Sequence, residues 1–190
     1  MPYAKRILAA LIGLGLIVLI FVLIVKGFSS GNTTPVKPVD LAKFSSTDAV
    51  SQLIIDGPVV INQEHRTIRV SVSQTESRIE IVQGYDGDVI ESQSFPNTQS
   101  SYAVFLQSLA HLDFSSGSTT SSLNDERGYC PNGNRYIYQL KQEDKTVLRF
   151  WSTSCGQGTF GGKRAEVRAL FRNQIPQATY NKLTSNIPQS

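Results

Sequence analysis

Hydrophobic positions fall into two regimes along this chain. Residues 7–25 form an unbroken apolar run without a charged, polar or proline side chain, bounded by Lys5, Arg6 and Lys26. As a helix such a run covers about 28 Å, close to the roughly 30 Å hydrocarbon core of a bilayer. It is longer than the apolar part of a cleaved signal peptide and lacks a small-residue cleavage pattern, so it predicts an uncleaved transmembrane signal anchor. The basic residues ahead of it put residues 1–6 in the cytoplasm and the remainder outside. Residues 26–43, rich in Ser, Thr, Gly and Pro, predict a flexible linker, and residues 44–190 one extracytoplasmic domain.

Within that domain the apolar spacing alternates between the periods of strand and helix. Ser46, Thr47 and Asp48 ahead of Ala49, Val50, Leu53 and Ile54 predict a short capped helix that stops before Gly57 and Pro58. Residues 59–62 then predict a short strand. Ile68, Val70 and Val72 alternate with Arg69, Ser71 and Ser73, the pattern repeats at Ile79 and Ile81, and a turn at 85–88 leads to a weaker strand at 89–95. These runs predict an antiparallel meander with one wet face.

Tyr102, Phe105, Leu106 and Leu109 occupy helical spacing behind the candidate caps Thr98 and Ser100, and predict an amphipathic helix. Residues 115–122, polar and glycine-containing, predict a mobile loop. Two strand-like runs at 135–141 and 146–154, joined by residues 142–145, predict a hairpin. A helix follows at 163–173, ended by Pro176, with a short helix at 178–183. Strands grouped apart from helices define the class: α+β, an antiparallel sheet made of a meander and a disulfide-stapled hairpin, with helices packed on one face.

Charge removes one class of function. The formal charge is +3, but from Phe44 onward 13 Lys and Arg face 14 Asp and Glu, so the positive excess belongs to the membrane flanks. The domain has no electrostatic footprint for nucleic acid. The two cysteines, Cys130 and Cys155, lie near the open end of the predicted hairpin, and an extracytoplasmic compartment favours their pairing.

Several residues invite a chemical reading. Gly156, Gly158 and Gly161 spell G-x-G-x-x-G between a strand and a helix, but no parallel strand follows and no acid after Glu166 is available for a ribose. The remaining readings are a tight glycine turn, or anion capture at the start of the following helix with Lys163 or Arg164. Arg164, Arg168 and Arg172 recur every four residues and form a stripe suited to an anionic surface or acidic partner, or simply to solvent. Tyr136, Tyr138 and Trp151 are candidate aromatic contacts for a sugar or a partner.

His65 and His111 do not match the spacing of common zinc sites, and neither a metal, a cofactor nor a catalytic residue is assigned. The pattern as a whole reads as a single-pass, membrane-anchored binding or scaffolding module of the cell envelope, with an envelope protein, a glycan or an anionic surface as partner. The alternative is an envelope hydrolase or transferase whose site is assembled from distant residues such as His65 or His111 with acids. Oligomeric state is not encoded in these features.

Overall fold

The computed structural model describes residues 34–119, 125–143, 145–185 and 187. The apolar run 7–25, the segment before it and residues 26–33 lie outside the described residues. Among the described residues, no helix is long and apolar enough to cross a membrane. The elements in chain order are β1 (Thr34–Pro35), a 3-10 helix (Leu41–Phe44), β2 (Val50–Asp56), β3 (Arg66–Val72), β4 (Glu76–Gln83), β5 (Asp88–Pro96), α1 (Gln99–His111), β6 (Ser118–Thr119), β7 (Arg135–Gln142), β8 (Lys145–Thr153), α2 (Arg164–Arg172) and α3 (Gln177–Thr184).

The fold is α+β. Six strands form one antiparallel sheet in the order β5-β4-β3-β2-β7-β8. The meander β2 to β5 runs outward from the centre. The chain then returns through α1, whose first turn is capped by Thr98 Oγ1 accepting from Ser101 N, and adds the β7–β8 hairpin on the other side of β2. One sheet face carries Leu53, Val70, Ile79, Tyr138, Leu140 and Phe150, all buried. Against it pack α1, through Phe105, Leu106 and Leu109, and α2, through Val167 and Phe171. Each such side chain contributes roughly 1.5–3 kcal/mol on burial.

Residues 50–56, expected as the end of a short helix, are a strand. β2 is hydrogen-bonded on both sides, to β3 and to β7, with Leu53 opposite Val70 and Tyr138. Its apolar residues Val50, Leu53, Ile54 and Ile55 do not alternate strictly, so the strand is fixed by its pairing on both edges while the spacing also fits a helix. Residues 59–62, expected as a strand, are instead part of the β2–β3 loop. There Val60 donates its N–H to the Tyr85 hydroxyl, which in turn donates to the Val60 carbonyl.

The reverse face is not uniformly wet. The segment before β7 crosses its β7–β8 half: Tyr129 packs on Trp151 with centroids 5.1 Å apart, and Val59 N donates to Pro131 O across 2.7 Å. Trp151 and Ile137 are buried there. Cys130 and Cys155 are disulfide-bonded, with Cα atoms 5.8 Å apart, and tie this segment to the end of β8.

Structure also begins earlier than the expected linker boundary. Thr34–Pro35 pairs with Ser118–Thr119, Val36 N donates to Gly117 O, and Leu41 is buried in the main core. The same pairing orders residues 118–119 of the stretch expected as a mobile loop; residues 120–122 lie outside the described residues.

The disulfide joins residues 25 apart. Closing a loop of that length contributes about 3 kcal/mol in the chain-entropy picture. Urea unfolding extrapolated to water should show the oxidised chain more stable by about that amount, with a steeper slope for the reduced chain because its unfolded state is less compact.

Candidate functional site

The β8 edge explains the glycine motif. Residues 157–160 run alongside it: Gln157 O accepts from Thr153 N at 2.9 Å, and Thr159 N donates to Trp151 O at 2.8 Å. Gly158 adopts φ 146° there, and a Cβ at that position would collide with the Trp151 carbonyl and the Ser152 Cα. Gly156 takes φ 97° in the preceding turn, and Gly161 sits close to the Ser116 carbonyl. Gly158 therefore permits the close backbone approach that covers the edge strand, while Gly156 supplies the positive φ of the turn leading to it.

Lys163 Nζ and Arg164 Nη1 approach the carbonyls of His111 at 3.5 Å and Gly156 at 3.4 Å. Their side chains steady the loop entering α2.

The other two arginines of the stripe stand over a cavity. Between the helix-covered sheet face and the α2–α3 pair lies a cleft of about 500 Å³. Its apolar floor is presented by Ile55, with Leu53, Val70 and Ile175 almost fully buried beneath it. Space exists because α2 turns Val167 and Phe171 into the core, while its cleft-lining positions Ala165 and Ala169 are too small to fill the gap. Arg168 and Arg172, one helical turn apart, therefore share the rim.

Each guanidinium rests on an aromatic ring. Arg168 Cζ lies 4.3 Å from the Tyr136 centroid and Arg172 Cζ 5.0 Å from that of Tyr180. Arg172 Nη2 also donates to Asn181 Oδ1 at 3.3 Å. Such contacts are worth about 0.5–1 kcal/mol each and hold the side chains in place while their N–H edges keep donor capacity. Asn134, Asn173 and Gln177 add carboxamides to the wall.

The arginines divide by partner, with Arg66 and Arg164 meeting backbone carbonyls. Arg69, Arg78, Arg127, Arg135 and Arg149 each have a carboxylate within 3.1 Å. Among the described residues, neither Arg168 nor Arg172 has one within ion-pair distance, and no acidic side chain lines the cleft. Nearby phenols do not supply the charge. Burial pushes the Tyr138 hydroxyl above the usual tyrosine range, opposed by its bond to Ser152 and by the Arg168 and Arg164 charges; burial raises Tyr180 likewise, against the charge of Arg172.

The three candidate aromatic contacts separate in the structure. Tyr138 is 0% and Trp151 1% exposed, so neither reaches a ligand; only Tyr136 borders the cleft. Tyr138 is core because it stacks on Phe160 at 3.9 Å, and Trp151 because Tyr129 lies over it.

His65 and Asp56 do meet, at 2.8 Å between Nε2 and Oδ1, but as structure. His65 is 2% exposed, its Nδ1 is 3.1 Å from the Pro58 carbonyl, and its ring stacks on Tyr85. Asp56 also accepts from Thr67 and lies 2.8 Å from the buried Arg135 Nε. With both ring nitrogens engaged, the histidine has no position from which to accept a substrate proton. Neither residue lines the cleft. His111 ends α1 on the surface.

Sequence reasoning found Arg168, Arg172 and Tyr136 and missed Tyr180, Asn134, Asn173 and Gln177. No local signal marks the latter, since only the packing of α3 and of the segment before β7 brings them to the arginines.

Fold and cleft together define an α+β domain with a cationic, apolar-floored pocket between sheet and helices. Compared with models of known families, with curated proteins and with solved structures, the chain matches none.

The covered β8 edge can be checked directly. Gly158→Ala should cost about 2 kcal/mol, from a collision added to a strained φ, whereas Gly156→Ala, with open space around it, should cost only about 1 kcal/mol. Thermal unfolding followed by Trp151 fluorescence would rank the two.

Proposed function

We propose that this chain is a membrane-anchored, extracytoplasmic binding module whose cleft captures an anionic ligand through Arg168 and Arg172. The observation that carries the reading is the pair of guanidiniums held over Tyr136 and Tyr180 without a carboxylate partner, above an apolar floor. An organised cation pair beside apolar surface binds organic anions well, because the side-chain ordering cost is already met and the charge-assisted bonds form at an edge partly shielded from water. The volume suits a ligand of small-molecule or short-peptide size rather than an inorganic ion alone.

The apolar run at residues 7–25 supports the anchored half of the proposal, and the paired cysteines suit an oxidising compartment. A hydrolase reading has less support, since of the two histidines named for it His65 is buried against Asp56 and His111 lies on the surface, and neither lines the cleft.

Calorimetry of the full chain in neutral-lipid nanodiscs, titrated with organic anions and their neutral isosteres, tests the binding reading. Saturable heat for anions, at least tenfold weaker with Arg168→Gln or Arg172→Gln, is the expected result; indifference to charge would remove it. The affinity should also show a characteristic pH profile. Arginine stays protonated throughout, and the raised Tyr138 and Tyr180 phenols stay neutral to beyond their ordinary value near 10. Binding of a carboxylate should therefore be flat between about pH 5 and 9 and fall below about pH 4 as the ligand is protonated. Titrations at four pH values would show it.

A further inference from the structure

The lining of the cleft narrows the ligand class, an inference that rests on the anion-binding reading above. Sugars and nucleobases are usually gripped by stacking on an open aromatic face. Here that mode is closed, because the two aromatic rings of the cleft, Tyr136 and Tyr180, are each already covered by a guanidinium. A long acyl chain is also a poor match. It needs an apolar wall along its length, whereas Asn134, Asn173 and Gln177 interrupt this one.

What remains must present an anion to two arginine edges, an aliphatic group to Ile55, Ala165 and Ala169, and paired donors and acceptors to carboxamides. A carboxamide side chain offers a donor and an acceptor together, which is the complement of a peptide bond. We propose that the cleft recognises the carboxyl terminus of a peptide whose last residue is aliphatic. The α-carboxylate meets Arg168 and Arg172, the last side chain lies on the apolar floor, and the final peptide groups pair with Asn173 and Gln177.

Asn134 belongs to the rigid side of this arrangement. Its N–H donates to Ser154 Oγ at 3.1 Å, its carbonyl accepts from Ser154 N at 2.9 Å, and it is buried beside the disulfide. Asn173 and Gln177 flank the turn that joins α2 to α3 and are exposed. They can be changed without opening the core, which makes them useful probes of peptide recognition as distinct from charge.

The test is calorimetric titration of the full chain in neutral-lipid nanodiscs with acetyl-Gly-Ser-Ala-Leu bearing a free carboxyl group, the same peptide amidated, the same peptide ending in Gly, and hexanoate. The free-acid leucine peptide should bind at least tenfold more tightly than the other two peptides. Asn173→Ala with Gln177→Ala should weaken the leucine peptide about tenfold and leave hexanoate within twofold, with circular dichroism and melting unchanged. Equal binding of free-acid and amidated peptides would overturn the carboxyl-terminal assignment. Binding of hexanoate and other organic anions with no preference for the peptide would overturn the peptide class and leave the anion pocket standing. Absence of binding by every anion would remove both.

Discussion

The depth of the cleft is set by how α2 is held above the sheet, and that height is fixed by one aromatic cluster. Phe171 packs edge-on against Phe105 of α1 at 5.2 Å and lies 5.9 Å from Phe114; Phe114 meets Tyr138 and Phe160, which stack on each other. Tyr138 is on a strand, Phe160 on the segment covering the β8 edge, Phe105 on α1 and Phe171 on α2. Four parts of the chain therefore converge on a contiguous set of rings, and native packing density leaves little room for any of them to move alone. Toward Ala165 and Ala169 the helix presents small side chains instead. The same helix that is locked down by Phe171 thus overhangs an unfilled space, and Arg168 and Arg172 border it because they follow from that orientation.

Charge is arranged with comparable economy. On the reverse face Asp56 is shared by His65, Thr67 and Arg135, and Arg135 also donates to the Gly57 carbonyl. Removing one member of such a buried set leaves an uncompensated charge, so the set specifies how the β2–β3 loop and β7 meet even though its net stabilisation is small. Arg149 and Glu126 similarly bind the crossing segment to β8. Among the described residues Arg66 and Arg164, which also lack a carboxylate, turn to backbone carbonyls instead, whereas Arg168 and Arg172 lie over aromatic rings at the rim of the cleft. Structural demands account for their aromatic contacts but not for the absence of acids around them.

Legibility in the sequence followed the strength of local periodicity. α1, α2 and α3 were readable because each is amphipathic or bounded by an unambiguous cap or breaker, as Thr98 bounds α1 and Pro176 separates α2 from α3, and the β7–β8 hairpin because two β-rich runs flank a short polar connection between the two cysteines. β2 was not, because Val50, Leu53, Ile54 and Ile55 fall at a spacing that fits a helix as well as a strand. The run Val59, Val60, Ile61 looked like a strand on composition alone, but a single tyrosine hydroxyl meets the backbone polar groups of Val60, and the residues stay exposed. Residues 34–44 show the converse. Pro35 and Pro38 argue against regular elements, yet a single backbone bond from Val36 and the buried Leu41 are enough to bring the segment into the fold. The arginine stripe was visible as a stripe; its meaning depended on which residues the tertiary structure brought beneath it.

The disulfide and the cleft are connected through backbone geometry. Cys155 follows Ser154, and Ser154 is bonded twice to Asn134, so the covalent link lies beside the pairing that positions a cleft-lining residue. Gly133 makes this possible, since a Cβ there would run into Ser154 Oγ and Cys130 Sγ. The segment before β7 therefore performs two tasks with one constraint. It roofs Trp151 on the reverse face, and through Asn134 it supplies a fixed polar group to the opposite face. A cleft built partly from such a stapled segment has one rigid wall, whereas Asn173 and Gln177 stand opposite at the turn between two short helices. On the proposed binding reading, selectivity belongs to the helical wall, where side chains can vary without disturbing the core, while the sheet and the staple preserve the shape of the cleft.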